Sequence, residues 1–190
     1  MRQHKGDCGG PCEMEGMGKE GPVIYTVGHS NRSAGDFIML LKSFRIQTCA
    51  DIRSYPGSRR SPQFNRNALR ESLNSEGILY THLPGLGGFR ESREDSPNKG
   101  LHDNMFRGYA DYMLTADFDR EVEKLISLAG TSTTAIMCAE RDRRQCHRNL
   151  LSDSLAARGV RVRHLIDRGL EELHEITPWA ELEGFRLYYR

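Results

Sequence analysis

Residues 23–52 indicate the fold most clearly, and they read VIYTVGHSNRSAGDFIMLLKSFRIQTCADI. The first five are all β-branched or aromatic and end at Gly28, which is typical of a buried strand. Ser33 can cap a helix, with Asp36 three residues later in a capping-box pattern, and the apolar residues that follow recur at helical spacing. A second short strand is expected at residues 47–52. The stretch therefore predicts a β-α-β unit.

The rest of the chain continues this alternation of strands and helices. We predict further strands at residues 78–83, 133–138 and 160–166. Between them we expect one helix capped by Asn65 and ended by Gly77, one near Gly108, one capped by Thr115 and one ended by Gly159. Right-handed crossovers between such strands give a mostly parallel sheet. The sequence therefore predicts a single Rossmann-like α/β domain over residues 22–190, with a mostly parallel five-stranded sheet and helices on both faces.

Two segments fall outside this regular pattern. Residues 84–104 are rich in glycine and mixed charges, and a loop of that length is often a lid or a binding loop. The aromatic residues near the end of the sequence, from 177 to 190, are expected to pack back on the domain.

Composition limits the classes of function. The chain has 190 residues, with 27 Lys and Arg against 26 Asp and Glu. This balance argues against a wholly cationic polyanion binder but allows a local basic patch. The longest purely apolar run, residues 37–41, is too short to span a membrane, so we expect no membrane partner.

Residues 1–21 contain six glycines without periodicity, and we predict that they form a flexible tail. Cys8 and Cys12, with His4 nearby, could bind a metal or form a disulfide, and the sequence leaves their role open. The segment has no apolar stretch of the kind found in secretory signals. Five cysteines without an export signal are typical of a cytoplasmic chain with reduced thiols.

Polar side chains follow every predicted strand, at the edge where open α/β sheets bind ligands. Four of these five strand ends carry at least one arginine, which favours bidentate binding of phosphate or carboxylate. The simpler alternative is a solvated rim of loops. We predict an anion site formed by Arg32, Arg53, Ser58, Arg59 and Arg148.

Arg148 is expected to contribute more to this anion site than its basic neighbours. It lies at the start of a predicted helix, where free N–H groups and the helix dipole attract anions. Its loss should weaken anion binding about ten- to a hundredfold, the size of a charge-assisted contact. We expect Arg141, Arg143 and Arg144, in the preceding loop, to point into water.

Three residues at the same edge are candidates for proton transfer or nucleophilic chemistry: His29, Cys138 and Glu140. Cys138 ends an apolar strand beside arginines and a helix start, an environment that would lower the pKa of a thiol. Its spacing to Arg144 is that of the anion-binding loops of cysteine phosphatases and rhodaneses. The loop here lacks the glycines of such loops, and Glu140 would repel an anion. A buried structural role for Cys138 is the alternative.

We predict neither a metal nor a cofactor. Cys138, Cys146 and His147 could ligate a metal, but neighbouring residues at a helix start are expected to point in different directions. No dinucleotide-binding or phosphate-loop glycine motif is present, and the glycines at 85, 87 and 88 are interpreted as a flexible turn. Ser30, His82, Cys146 and His147 are further pocket candidates because they lie at strand ends.

These motifs together resemble the domain of unknown function 488 family. The matching motifs are TVGHSNR (26–32), DIRSYPGSR (51–59), PQFN (62–65), HLP (82–84), LGG (86–88), FRGYA (106–110), CAE (138–140) and CHR (146–148). They run in order over residues 23–166, about three quarters of the chain. The resemblance implies an α/β domain whose polar motifs line one site, and it adds Tyr109 to the pocket candidates. It implies no substrate.

Three hypotheses for the function follow from the residues. The first is an enzyme acting on a phosphate-bearing ligand, either a nucleotide or a nucleic-acid end. The second is a non-catalytic nucleic-acid-binding module, and the third is a metal- or redox-responsive cysteine protein. We predict that His29, Arg53, Cys138, Glu140 and Arg148 converge on one pocket, and guanidinium groups of Arg53 and Arg148 on opposite faces of the domain would contradict a single site. We also expect Asp51 to be buried and hydrogen-bonded to a nearby loop or arginine. The reaction and the oligomeric state stay open.

Overall fold

The computed structural model describes residues 21–190, in which strands and helices alternate along the chain. The strands are β1 (Val23–Gly28), β2 (Thr48–Asp51), β3 (Leu79–His82), β4 (Thr134–Cys138), β5 (Arg161–Asp167), β6 (Leu170–Leu173), β7 (Glu181–Glu183) and β8 (Arg186–Tyr188). The helices are α1 (Ala34–Ser43), α2 (Arg66–Asn74), α3 (Asn104–Met113), α4 (Ala116–Ala129) and α5 (Arg148–Ala157). Short 3-10 turns occupy residues 62–64, 84–86 and 143–145. Cys8 and Cys12 lie outside the described residues.

The main sheet has the strand order β3-β2-β4-β1-β5-β6. The first five strands are parallel, and β6 runs antiparallel to β5. The predicted α/β fold with a mostly parallel sheet is therefore confirmed, with six strands instead of five. The additional strand forms because Gly169, at a φ of 71°, turns the chain back immediately after β5. Strands β7 and β8 form a separate hairpin.

The two faces of the sheet are covered by different helices. From β1 to β3 the chain advances toward one edge of the sheet, and from β3 through β4 to β5 it advances toward the other edge. Because the crossovers are right-handed, the helices of these two parts of the chain lie on opposite faces. Helices α1 and α2 cover one face, with a core that includes Phe37, Leu41, Leu69 and Leu73. Helices α3, α4 and α5 cover the other, with a core that includes Tyr109, Phe118, Leu125 and Leu151.

Two of the three predicted helix caps are formed. Ser33 accepts a hydrogen bond from the backbone N–H of Asp36 at 3.0 Å, and Thr115 caps α4 in the same way. The predicted cap by Asn65 is wrong. Its Oδ1 accepts a hydrogen bond from the backbone N–H of Ser58 at 2.6 Å, and α2 has no side-chain cap. Asn65 therefore braces the loop after β2.

Residues 84–104 are irregular but firmly attached to α3. The buried carboxylate of Asp111 accepts hydrogen bonds from the backbone N–H of Arg93 at 3.0 Å, from Ser96 Oγ at 2.6 Å and from Asn98 Nδ2 at 2.8 Å. Asn98 in turn accepts from the backbone N–H of Tyr189, which is itself buried. None of the helices within residues 21–190 is both long and apolar enough to cross a membrane.

Candidate functional site

A cavity of about 460 Å³ opens at the carboxyl ends of β2 and β4. Strand β4 lies between β1 and β2. The helices that follow β1 and β2 cover one face of the sheet, whereas the helix that follows β4 covers the other face. Such a switch in direction is where open α/β sheets bind ligands. Five residues from the sequence prediction line this cavity: Arg53, Cys138, Glu140, Cys146 and His147.

One wall of the cavity rests on a buried ion pair between Asp51 and Arg53. The Arg53 guanidinium donates to both carboxylate oxygens of Asp51, at 2.9 and 2.7 Å, and also to the backbone carbonyl of Phe64 at 2.8 Å. Tyr80 donates its hydroxyl to the same carboxylate at 2.8 Å. The expectation that Asp51 is buried and hydrogen-bonded is confirmed. Arg53 is therefore held mainly by the protein and has little capacity left for a ligand.

His29 lies behind Arg53 and does not line the cavity. Its Nδ1 is 2.8 Å from the carbonyl of Ser30, and its Nε2 is 3.3 Å from Arg53 Nη1. The proton is therefore on Nδ1, and Nε2 accepts from the arginine. The ring stacks on Phe64 with centroids 4.1 Å apart. Burial lowers the pKa of His29, with a further contribution from Arg53, so the imidazole is kept neutral.

The cysteine cluster, Cys138, Cys146 and His147, is in the cavity wall. Nδ1 of His147 lies 4.0 Å from the sulfur of Cys138 and 3.7 Å from that of Cys146. The two thiols are buried, and the three ligand atoms all lie within 4.8 Å of one another. The expectation that Cys146 and His147 point in different directions is therefore wrong. The 3-10 turn at residues 143–145 brings both side chains toward the end of β4.

The two thiols of the cluster have opposite pKa shifts. A hydrogen bond from the Cys138 thiol lowers the pKa of Cys146 to about 3, and His147 and Arg148 act in the same direction against the effect of burial. The same hydrogen bond, together with burial, raises the pKa of Cys138 well above its usual value. The expected lowering of the pKa of Cys138 is therefore wrong, and the lowered pKa belongs to Cys146.

Arg148 is buried beneath the cavity and is only 1% exposed. Its guanidinium donates to the carbonyl of Glu140 at 2.5 Å and to Thr26 Oγ1 at 3.2 Å, so it holds the loop after β4 against β1. Neither Arg148 nor His29 lines the cavity, so the predicted convergence of five residues on one pocket is wrong for these two. Anion binding by Arg148 stays a prediction. Among its basic neighbours, Arg143 does not point into water as expected, because it pairs with Glu172 at 2.7 Å.

The remaining predicted residues lie around the cavity, outside its wall. Arg32 donates to the carbonyls of Gly28 and Ile166 and, with Ser30, lines a separate cleft. His82 Nε2 contacts the carbonyl of Arg53. Tyr109 is buried and packs edge-on against the ring of His147, with centroids 5.0 Å apart. Ser58 and Arg59 lie on the loop after β2. Binding roles for these residues stay predictions.

Most of the apolar lining of the cavity was not predicted from the sequence. Tyr55, Phe89, Met105 and Phe106 line it, and the first three are largely exposed side chains. The glycines interpreted as a flexible turn have a definite packing role. A Cβ on Gly88 would lie 2.4 Å from Nδ1 of His147, so the absent side chain makes room for that ring. Aromatic residues within the family-like motifs were the signal that could have identified Tyr55 and Phe106.

Comparison with known protein families places the chain beside an uncharacterised family. The model of a family described as "Domain of unknown function DUF488" matches residues 33–155. This range contains β2 to β4 and the entire cysteine cluster. No curated protein and no solved structure matches the chain.

Proposed function

The chain belongs to the DUF488 family, and from that premise we propose that it is an enzyme whose substrate binds in the cavity at the carboxyl ends of β2 and β4. The substrate class that we propose is a flat heteroaromatic ring bearing a phosphate, as in a nucleotide. The reactive groups are the cysteine cluster and Glu140.

The observation that carries this proposal is the arrangement of chemical groups within one cavity. Cys138 and Cys146, which are 7% and 3% exposed, lie at its inner side. Tyr55 and Phe89, which are 80% and 71% exposed, lie at its outer side. Titratable groups in an enclosed site next to an apolar mouth are typical of small-molecule active sites. Exposed aromatic rings grouped at the mouth of a cavity also favour a ligand-binding site.

The exposed rings favour a flat substrate. Tyr55 and Phe89 present faces or edges on which a heteroaromatic ring can stack, and such stacking contributes about 1–3 kcal/mol per base in nucleic-acid complexes. The polar lining includes Ser54, Asp103 and Gln145, which can hydrogen-bond the edge of a ring. The ring of the substrate is therefore assigned to the cavity mouth.

The phosphate is assigned to the loop that carries Tyr55. This loop continues to Arg59 and Arg60, both of which are exposed. Arg53 and Arg148 are engaged by protein carbonyls and by Asp51, so they are less suited to bind the phosphate directly. Exposed arginines contribute less than buried ones because water screens them. We therefore expect the phosphate to add only about tenfold to affinity.

Binding of a matched ligand series by calorimetry tests the proposal. The series is a free nucleobase, its nucleoside and its 5′-monophosphate. Tyr55→Ala and Phe89→Ala should each weaken binding of all three by about 5- to 150-fold, the equivalent of one stacking contact. Phe185→Ala is the matched control, because Phe185 is an exposed aromatic outside the cavity. Equal affinities of all three variants and the wild-type chain would refute the proposal.

A second candidate function is a non-catalytic nucleic-acid-binding module. The same exposed aromatics and adjacent arginines favour it, because single strands bind through stacking and backbone charge. Salt separates the two. A backbone binder loses roughly 0.9 log unit of affinity per phosphate contact for each tenfold rise in salt on duplex DNA, whereas binding of a mononucleotide should change little.

A further inference from the structure

We propose that Cys138, Cys146 and His147 bind one zinc ion, with the fourth coordination position open to the cavity. This inference rests on the proposed function for the identity of the substrate, but the metal site itself is argued from the cluster alone. It replaces the sequence-based expectation that no metal is bound.

The distances within the cluster match those of a tetrahedral zinc site. With Zn–S of about 2.3 Å and Zn–N of about 2.0–2.1 Å, a tetrahedron places sulfur and nitrogen about 3.6 Å apart. The observed separations from His147 Nδ1 to the two sulfurs are 3.7 and 4.0 Å. Movements of a few tenths of an ångström therefore complete the site. Two thiolates and an imidazole are also the ligand types that zinc prefers.

The cluster is held by rigid elements on all sides. Cys138 ends the central strand β4, and its carbonyl accepts from the backbone N–H of His29 at 3.0 Å. Cys146 donates its backbone N–H to the carbonyl of Arg143 at 3.0 Å. The ring of His147 lies between Tyr109 and Gly88. Ligands that are fixed before binding lose little conformational entropy when the metal binds.

One buried nitrogen beside the cluster lacks a hydrogen-bond partner among the described residues. Nε2 of His147 is buried and has no hydrogen-bond partner within residues 21–190. Such orphan groups are costly and, in native proteins, call for an explanation such as an absent ion or water. Ligation of zinc through Nδ1 makes Nε2 an N–H donor that still needs an acceptor, so the metal site is argued from the distances and ligand types alone.

The number of ligands indicates a catalytic rather than a structural zinc. Within the described residues, the cluster contains three candidate ligands, and structural sites normally have four. All three ligands line the 460 Å³ cavity, and Glu140 lies in the same wall without belonging to the cluster. A zinc site with three protein ligands and a water molecule is the usual catalytic arrangement.

The chemistry that this arrangement supports is hydrolysis. Glu140 takes a proton from the zinc-bound water, and the resulting hydroxide attacks an electrophilic carbon of the substrate ring. The bond from that carbon to its nitrogen or oxygen leaving group breaks, and the leaving group takes the proton from Glu140. Water is therefore the second substrate, and no oxidant or reductant is needed.

Metal analysis of the full chain, produced without a histidine tag, tests the site. The chain should carry the substitutions Cys8→Ser and Cys12→Ser, so that these two cysteines cannot bind the metal. Cys49, the remaining cysteine outside the cluster, is buried. We expect about one zinc ion per chain. Replacement by cobalt should give intense visible bands and a thiolate-to-metal charge-transfer band, which report tetrahedral thiolate ligation without any assay of activity.

Two variants locate the metal. Cys146→Ser should weaken zinc binding by more than the roughly 10- to 100-fold that loss of an outer-shell partner costs. Cys49→Ala, a buried cysteine outside the cluster, should retain the metal. Wild-type cobalt spectra do not depend on whether a variant folds. A chain that takes up neither zinc nor cobalt overturns the proposal. A folded Cys146→Ser variant that keeps its metal overturns it as well.

Glu140→Gln tests the hydrolytic role separately. We expect the metal content to stay the same while turnover of a hydrolysed ligand falls about 10²- to 10⁴-fold, the usual contribution of a general base. Loss of the metal in this variant would make Glu140 a ligand and refute its role as proton acceptor. Failure of the ligand series described above, with zinc still bound, would refute the proposed substrate and leave the metal site standing.

Discussion

Replacement of Asp51 by asparagine should destabilise the chain strongly. Asp51 is fully buried, and its carboxylate accepts four hydrogen bonds, three from Arg53 and one from Tyr80. An amide of the same shape turns one acceptor oxygen into a donor and leaves the guanidinium without its counter-ion. Breaking a buried pair from one side costs about 3–5 kcal/mol, which for a chain of this size is roughly 6–20 °C in melting temperature.

The chain itself contains a matched control for this experiment. Arg93 and Asp95 form the same bidentate pair at the same sequence separation, but their side chains are 61% and 71% exposed. Asp95→Asn should leave the melting temperature almost unchanged, because water screens the pair. The double variant Asp51→Asn/Arg53→Met should recover more than about 1 kcal/mol relative to Asp51→Asn, since no buried charge is left unpaired.

The measurement is thermal and urea-induced unfolding of the three variants and the wild type. A melting temperature for Asp51→Asn within about 2 °C of the wild type, or equal to that of Asp95→Asn, would refute the argument from burial. A double variant less stable than Asp51→Asn would show that Arg53 stabilises the cavity wall mainly through Phe64 and His29.

Three further predictions concern the surroundings of the site. Burial lowers the pKa of His164 to about 2. As the pH falls below 7, this histidine is therefore protonated in the unfolded chain but stays neutral in the folded chain. About 2 kcal/mol of unfolding free energy should be lost between pH 7 and pH 5, and urea titrations of His164→Gln should lack this loss. Arg148→Ala should lower the melting temperature by roughly 6–12 °C, because charged hydrogen bonds to buried acceptors are lost, whereas Arg144→Ala should not change it. Equal melting temperatures of the two variants would contradict the structural role of Arg148. Gly88→Ala should weaken zinc uptake at least tenfold by displacing the facing imidazole, whereas Gly57→Ala, in open space, should not.

Most of the fold could be predicted because its signals are local. Short runs of β-branched and apolar residues predicted the strands, and the Ser33 and Thr115 caps follow from short-range hydrogen bonds that the sequence contains. The Asn65 cap failed because a partner seven residues away, Ser58, competes for the same oxygen. Strand β6 was missed because it is short, mostly exposed and rich in glutamate, and only its pairing with β5 makes it a strand.

The candidate site was only partly predictable. Residues at strand ends converge because parallel topology forces them to, which is why Arg53, Cys138 and Glu140 line one cavity. Arginine alone, however, does not reveal whether its guanidinium faces a ligand or a buried carbonyl, and Arg148 takes the second arrangement. The aromatic mouth was missed because Phe89 lies in irregular chain, whose path follows no periodicity.

The attachment of residues 84–104 to Asp111 has a kinetic consequence. Backbone amides in irregular segments usually exchange quickly with solvent, but those of Arg93 and Asn98 are bonded to side-chain oxygens inside the domain. These amides should exchange as slowly as those of the sheet. The segment then cannot swing open on the microsecond-to-millisecond timescale of active-site lids. A ligand instead reaches the cavity past the rotating rings of Tyr55 and Phe89, on the nanosecond timescale of exposed side chains, so diffusion and not gating should limit its arrival.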